Sequence, residues 1–172
     1  MADVNYRDED ATQGGVPDDS GIQDKELELI ELLFFAYRDF TSDPDKILAE
    51  YGFGRAHHRV IHFVSRNPGI RVAELLDILK ITKQSLGRVL KQLIDEEFVY
   101  QREGQSDRRQ RLLFVTDKGR ALALSLAAPQ RARIARALEE LGGDAHGAMR
   151  AMLVNLIDSD ERANVARWTH RR

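Results

Sequence analysis

The 172-residue chain contains no cysteine. That absence removes disulfides, Cys-ligated zinc, thiolate catalysis and thiol-based redox sensing together. It also lacks any run approaching the roughly 20 apolar residues that a membrane helix needs, so no membrane partner is expected. No Gly-rich phosphate loop, G-x-S-x-G elbow or H-E-x-x-H pair is present. An enzyme would be missing its usual equipment, and neither an enzymatic activity nor a cofactor is expected. The opening residues MADVNYRDEDATQGGVPDDSG hold no basic start and no apolar stretch, so a secretory leader is not expected and the compartment read from this is the cytoplasm.

What the chain does have is charge, unevenly placed. The formal net charge is only −2, yet residues 1–54 carry 4 Lys/Arg against 14 Asp/Glu. Residues 55–116 reverse this with 12 against 7, and residues 117–172 carry 10 against 7. A basic middle beside an acidic start is the distribution of a nucleic-acid reader, because local field matters more than overall charge. Many solvated surfaces share it. With 42% apolar and 31% charged residues, the chain reads as soluble and globular, long enough for one good core or for a small domain plus an oligomerisation element.

Residues 1–23 are acidic, Gly-rich and nearly free of large apolar side chains, which predicts a flexible tail. From Asp24 the pattern changes. DKELELIELLFFAYRDF sets Leu27, Ile30, Phe34 and Tyr37 at helical spacing, and Leu29, Leu32, Leu33 and Phe35 fill much of the remaining surface. Such a helix needs cover on more than one face: either it is sunk in the core of one subunit, or a partner chain covers it. SDPDKILAEYG, with a Ser-Asp start and a Gly stop, predicts a separate short helix. RAHHRVIHFVSR predicts another, with Val60, Ile61 and Val64 inward and NPG closing it. VAELLDILK predicts a third, with Leu75, Leu76 and Leu79 apolar.

The sharpest pattern follows Ile81. Thr82 is placed to cap a helix in which Leu86, Val89, Leu90 and Leu93 form one narrow stripe. Gln84, Arg88, Lys91 and Asp95 project from the other side. That row is either an ordinary solvated face or a set of donors for base edges and phosphates in a major groove. Gly87 flanks it, where it costs the helix about 1 kcal/mol against alanine and leaves room for a close approach.

FVYQREG and RQRLLFVT then read as two strands joined by a polar turn at Gln105–Arg108. A hairpin this small is not stable alone and must pack on the helices. Two helices with a tight junction, followed by a hairpin with a basic tip, give the pattern of a winged helix-turn-helix. After Thr116 the chain reads as helical almost to its end. DKGRALALSLAA is predicted to break or kink near Pro129, and QRARIARALEELGG stops at its Gly pair. DAHGAMRAMLVNLI sets Met149, Met152, Leu153 and Leu156 on one stripe. Helices at both ends of such a reader are well placed to form a dimerisation layer.

These segments resemble the MarR family of winged helix-turn-helix transcriptional regulators. The resemblance is carried by VAELLDILKITKQSLGRVLKQLIDEEFV and QREGQSDRRQRLLFVTDKG, with Asp107-x-Arg109 and LLFVTDKG the most specific pieces, and covers about residues 25–160. It implies a mainly α fold with a small β-hairpin wing, flanked by N- and C-terminal dimerisation helices. The implied boundaries are a tail at 1–23 and a winged-helix domain at 24–160, with a basic end at 161–172. Within that domain the helix-turn-helix falls at about 71–97, the wing at about 99–116 and the dimerisation helices at about 24–41 and 117–158. The partners implied are double-stranded DNA, bound at a pseudo-palindromic operator, and a second copy of the chain. Repression is the family's habit.

On the resemblance, Thr82, Lys83, Gln84, Ser85, Arg88 and Lys91 are the candidate recognition-helix contacts, and Asp107, Arg108, Arg109 and Arg111 those of the wing. Arg109 is assigned to a narrow minor groove, whose concentrated negative potential attracts an arginine, and Asp107 is assigned to orient its guanidinium. Arg108, Arg111 and Arg102 are then backbone contacts or local supports. His58 and His62 stand at i, i+4 beside His57, a spacing that can bind zinc, but no further ligand lies near in sequence and no metal site is expected. The resemblance places effectors between the dimer layer and the reading heads, where His58, His62 and Arg66 would meet an anionic small molecule; packing or capping is the alternative for each. Two other functions stay open: a winged helix whose basic wing binds an acidic protein, and an activator without a small-molecule ligand.

Overall fold

The computed structural model describes residues 24–104, 107 and 110–169. The acidic stretch 1–23, the wing-tip residues Gln105, Ser106, Arg108 and Arg109, and residues 170–172 lie outside the described residues. In chain order the elements are α1 (Asp24–Ala49), α2 (Arg55–Arg66), β1 (Ile70–Arg71), α3 (Val72–Leu79), α4 (Lys83–Asp95), β2 (Val99–Glu103), β3 (Arg111–Val115), α5 (Asp117–Leu141), α6 (Ala145–Asn155) and α7 (Arg162–Thr169). The fold is therefore mainly α with a small antiparallel sheet, as expected. No described helix is long and apolar enough to cross a membrane.

The chain divides into two compact units, one ending at Tyr37 and one running Arg38–Arg172. Over its described residues the first is the opening part of α1, where Leu27, Ile30, Leu33, Phe34 and Tyr37 are all exposed, Phe34 at 70%.

The second unit holds the core. Its centre is the stripe on α4: Leu86 and Leu93 are fully buried, with Val89 and Leu90 beside them. Val60, Ile61 and Val64 of α2, Leu75 and Leu79 of α3, and Leu122 and Leu126 of α5 pack into the same cluster. Fully burying a side chain of this size stabilises the fold by roughly 1.5–3 kcal/mol, so the stripe fixes how α4 is rolled about its own axis. The sheet has the order β1-β3-β2, with Val99 facing Val115 and Glu103 facing Arg111 across the wing. β1 pairs Ile70 with Leu113 and Arg71 with Leu112. This third strand was not expected. Two residues after Pro68-Gly69 are too few to show an alternating pattern.

Two prolines sit inside continuous helices. The short helix predicted to start at Ser42 does not exist as a separate element, because α1 runs on through Pro44 to Ala49. Proline deprives the carbonyl four residues back of its usual donor, but Gln130 Nε2 supplies one to the Phe40 carbonyl at 3.3 Å. Ser42, read as a helix start, instead bonds back to the Asp39 carbonyl, and Thr41 beside it to the Arg38 carbonyl. Likewise α5 is not broken near Pro129 but continues to Leu141, with Gly142 as its cap. The final stretch, read only as a basic end, contains helix α7, whose Trp168 is 6% exposed. One indole in a mostly polar octapeptide gives little periodicity to read.

The TDKG segment explains how the wing joins the body. Thr116 caps α5 by accepting from the Gly119 amide and donates its hydroxyl to the Glu97 carbonyl at 2.7 Å. Lys118 Nζ donates to the Glu96 carbonyl at 2.8 Å and lies 4.1 Å from the centre of the Phe98 ring. Gly119 sits so close to this turn that an added Cβ would come within 2.0 Å of the Phe98 carbonyl oxygen. Gly119→Ala must push α5 off the β2 junction, and a loss of about 1–3 kcal/mol in urea denaturation is expected. A methyl added at Gly87 meets nothing within 4 Å, and Gly87→Ala is expected to gain up to about 1 kcal/mol. Equal responses from the two would contradict the close approach at Gly119.

Candidate nucleic-acid interface

Helix α4 presents its N-terminal turn to solvent because its other side is committed to the core. Thr82 Oγ1 caps the helix by accepting from the Ser85 amide at 3.1 Å, and the two hydroxyls bond to each other at 2.9 Å. Lys83, Gln84, Ser85, Gly87, Arg88 and Lys91 are all exposed. The first turn carries no acidic side chain, so the partial positive charge of the helix start is left uncancelled locally and favours an anion. Lys91 differs from its neighbours: it forms an ion pair with Asp95 one turn on.

The wing is stiffened along its length. Tyr100 and Phe114 stack across the two strands with centroids 5.3 Å apart, and the Arg102 guanidinium lies 5.2 Å and 5.4 Å from the two ring centres. Arg111 Nη1 donates to Glu103 Oε1 at 3.0 Å, a cross-strand pair at the last rung of the ladder. Past that rung the Gly104 amide donates to the Gln110 carbonyl and the Gln110 amide to the Asp107 carbonyl, both at 3.0 Å. A Cβ on Gly104 would fall 2.8 Å from the Asp107 carbonyl oxygen. Asp107 Oδ2 also accepts a long bond, 3.5 Å, from the Gln110 amide group. Arg108 and Arg109 lie outside the described residues, and with them the orienting role assigned to Asp107. The sequence placed a polar turn at Gln105–Arg108; the backbone hydrogen bonds of Gly104 and Gln110 that flank it were not legible there.

A second feature missed in sequence is His57. Its Nδ1 accepts from the Gly54 amide at 3.1 Å, which leaves the proton on Nε2 to donate to Gln92 Oε1 at 2.9 Å. Gln92 Nε2 then donates to Glu96 Oε1 at 3.0 Å. The ring stacks on Phe53 at 4.7 Å. His57 therefore closes the start of α2 and ties it to the last turn of α4. The three-residue spacing from Gly54 was a legible capping signal.

His58, His62 and Arg66 follow one another along α2, the first half-buried and the other two exposed. Desolvation lowers the pKa of His58, with the neighbouring His62 adding to the effect. Desolvation again comes first for His62, followed by the positive charge of Arg66. Among the described residues, no group of three or more His, Asp or Glu side chains is placed to hold a metal ion. A cavity of about 550 Å³ opens elsewhere, walled by Phe63, Ile78, Lys80, Leu156 and Trp168.

Comparison with known proteins gives three findings. The MarR family model matches residues 51–110. The HTH-type transcriptional regulator PetP of Rhodobacter capsulatus is 47% identical over 129 residues, which cover 75% of this chain and 78% of that protein. Among solved structures, Streptococcus pneumoniae FabT in complex with DNA superposes with a TM-score of 0.67 at 16% identity, covering 76% of this chain and 94% of that one. A SlyA-like transcription regulator from Listeria monocytogenes gives 0.62 at 20% identity, covering 86% and 96%. At these identities the two structures establish the shared fold.

The histidines make a solution test available. Their folded pKa values lie below the ordinary imidazole value of about 6.5, so the unfolded chain binds more protons as pH falls through that value. Their contribution to stability is complete above it and is lost on acidification. The melting temperature is expected to drop between pH 7 and pH 5, and replacing His58 and His62 with Gln is expected to shrink that drop. A profile unaltered by the double replacement would contradict the partial desolvation of these rings.

Proposed function

The chain belongs to the MarR family of winged-helix transcriptional regulators, and on that premise we propose that it binds double-stranded DNA as a homodimer at a pseudo-palindromic operator, acting in the cytoplasm as a repressor that a small-molecule effector releases. One observation carries the reading: the start of α4, held by a buried stripe on its opposite side, exposes Lys83, Gln84, Ser85 and Arg88 with no acidic side chain in its first turn. Amide, hydroxyl and guanidinium groups in that arrangement match the donors and acceptors that base edges and phosphates offer in a major groove. Thr82 and Ser85 set the helix start against the phosphate backbone, and Arg88 reads a base. Lys91, already paired with Asp95, supplies charge near the backbone rather than base selectivity.

The wing takes the adjacent minor groove. The Tyr100–Phe114 stack and the Glu103–Arg111 pair make the hairpin stiff enough to deliver its tip, and Arg109 is the residue assigned to enter the groove with Asp107 orienting it. Arg108 and Arg111 stay near the phosphates. The homodimer is supported by apolar surface that a soluble monomer rarely leaves open: Leu27, Ile30, Phe34 and Tyr37 on α1, and Met149, Met152, Leu153 and Leu156 on α6. A two-fold pair of reading helices calls for half-sites about one helical turn apart. The effector is assigned to α2, at His58, His62 and Arg66, with an anionic group facing Arg66.

Fluorescence anisotropy against duplex from the chain's own upstream region tests the reading. Preference for that duplex over a scrambled one is expected, with affinity falling steeply as salt rises. Arg109→Ala is expected to cost on the order of 1–3 kcal/mol of operator affinity; an unchanged affinity would remove the wing from the interface. Arg88→Ala is expected to relax base preference at one position per half-site, which sequencing of selected duplexes would reveal or refute.

A further inference from the structure

Helices α3 and α7 are joined by three hydrogen-bonded rungs. Lys80 Nζ donates to Glu161 Oε1 at 2.9 Å, Asn164 Nδ2 to Asp77 Oδ2 at 2.9 Å, and Arg167 Nη2 to Glu74 Oε1 at 3.1 Å. The positions step by three on both sides and in opposite directions, 80, 77 and 74 against 161, 164 and 167, so the two segments run antiparallel in a fixed register. Each rung is buttressed from its own side. Lys80 also reaches Asp77 Oδ1 at 3.1 Å, Asn164 reaches Glu161 Oε2 at 3.2 Å, and Arg71 bonds Glu74 through both its amide and its guanidinium. Directly after Arg167, Trp168 is buried in the core cluster, so α7 is held by an apolar anchor as well as by the ladder.

The ladder grips the helix-turn-helix at its most sensitive point. α3 is the helix before the reading helix, and Lys80 is the first residue of the turn between them. Lys80 adopts φ 50° and ψ 40°, the left-handed conformation that glycine or asparagine takes at less cost. Glycine would ease the backbone there, but it could not reach Glu161. The lysine side chain couples the turn to Glu161, 81 residues away and directly before α7.

We propose that α7 is a positioning strut for the reading head: the ladder from Glu161, Asn164 and Arg167 to Lys80, Asp77 and Glu74 sets the pitch of α3 and, through the turn, the angle at which α4 meets the groove. These residues determine operator preference without touching DNA. The proposal rests on the DNA-reading function and adds to it a set of specificity-determining residues at the far end of the chain.

The experiment measures the full-length protein on two duplexes, one selected by the wild type from a random pool and one scrambled from it, with melting temperature alongside. Glu161→Gln with Asn164→Ala removes one negative charge, so electrostatics alone would tighten binding to any duplex. The strut requires the reverse: preference for the selected duplex falls on the order of tenfold, while binding to the scrambled duplex does not weaken. The swapped pair Lys80→Glu with Glu161→Lys keeps the net charge and restores the rung, and it is expected to hold a preference closer to wild type than Lys80→Glu alone. Undiminished preference in the first variant, or a folded swapped pair no better than Lys80→Glu, overturns the strut and leaves the DNA-reading function standing. A wild type that selects no duplex from the pool overturns both.

Discussion

Burial of four side chains on one side of α4 is the constraint from which the rest follows. Exposing Leu86, Val89, Leu90 and Leu93 together would cost on the order of 6 kcal/mol or more, comparable with the whole stability of a small domain. The roll of the helix is therefore not adjustable. Since the apolar stripe is turned into the core, against α2 and β2, the row containing Gln84 and Arg88 faces water. Thr82 then fixes where the helix begins, and so which side chains stand at its positive end. The proposed DNA-reading surface is thus a consequence of the core.

Around that fixed helix, polar contacts set position rather than stability. Exposed ion pairs such as Glu103–Arg111 contribute little to folding free energy, yet they hold a hairpin straight. His57 and Gln92 connect the start of α2 to α4, and TDKG binds the start of α5 to the turn between α4 and β2 through Thr116, Lys118 and the bare Cα of Gly119. The C-terminal ladder completes the set from the side of α3.

Legibility in sequence followed the size of the local signal. Helix α4 was readable because four apolar residues at i, i+3, i+4 and i+7 left no competing period, and its cap because Thr82 stands directly before it. The wing strands were readable from alternation and a polar turn. Pro44 misled because a local rule was applied where a tertiary donor, Gln130, repairs the missing bond. β1 was too short to carry a pattern. The ladder between α3 and α7 was invisible for a different reason: three polar residues at a spacing of three look like any solvated face until the second segment is seen beside them. The residues expected to touch DNA were chosen for charge and helix position, whereas those that shape the wing turn, Gly104 and Gln110, are uncharged and owe their role to backbone geometry.

The central claim is that two copies of this chain grip one duplex through paired reading helices and wings. Hydroxyl-radical footprinting on the chain's own upstream DNA tests it most directly. Two protected stretches related by a dyad, with centres about one helical turn or roughly 34–36 Å apart, are the result the account requires. A single unpaired footprint, or uniform protection without position, would contradict it.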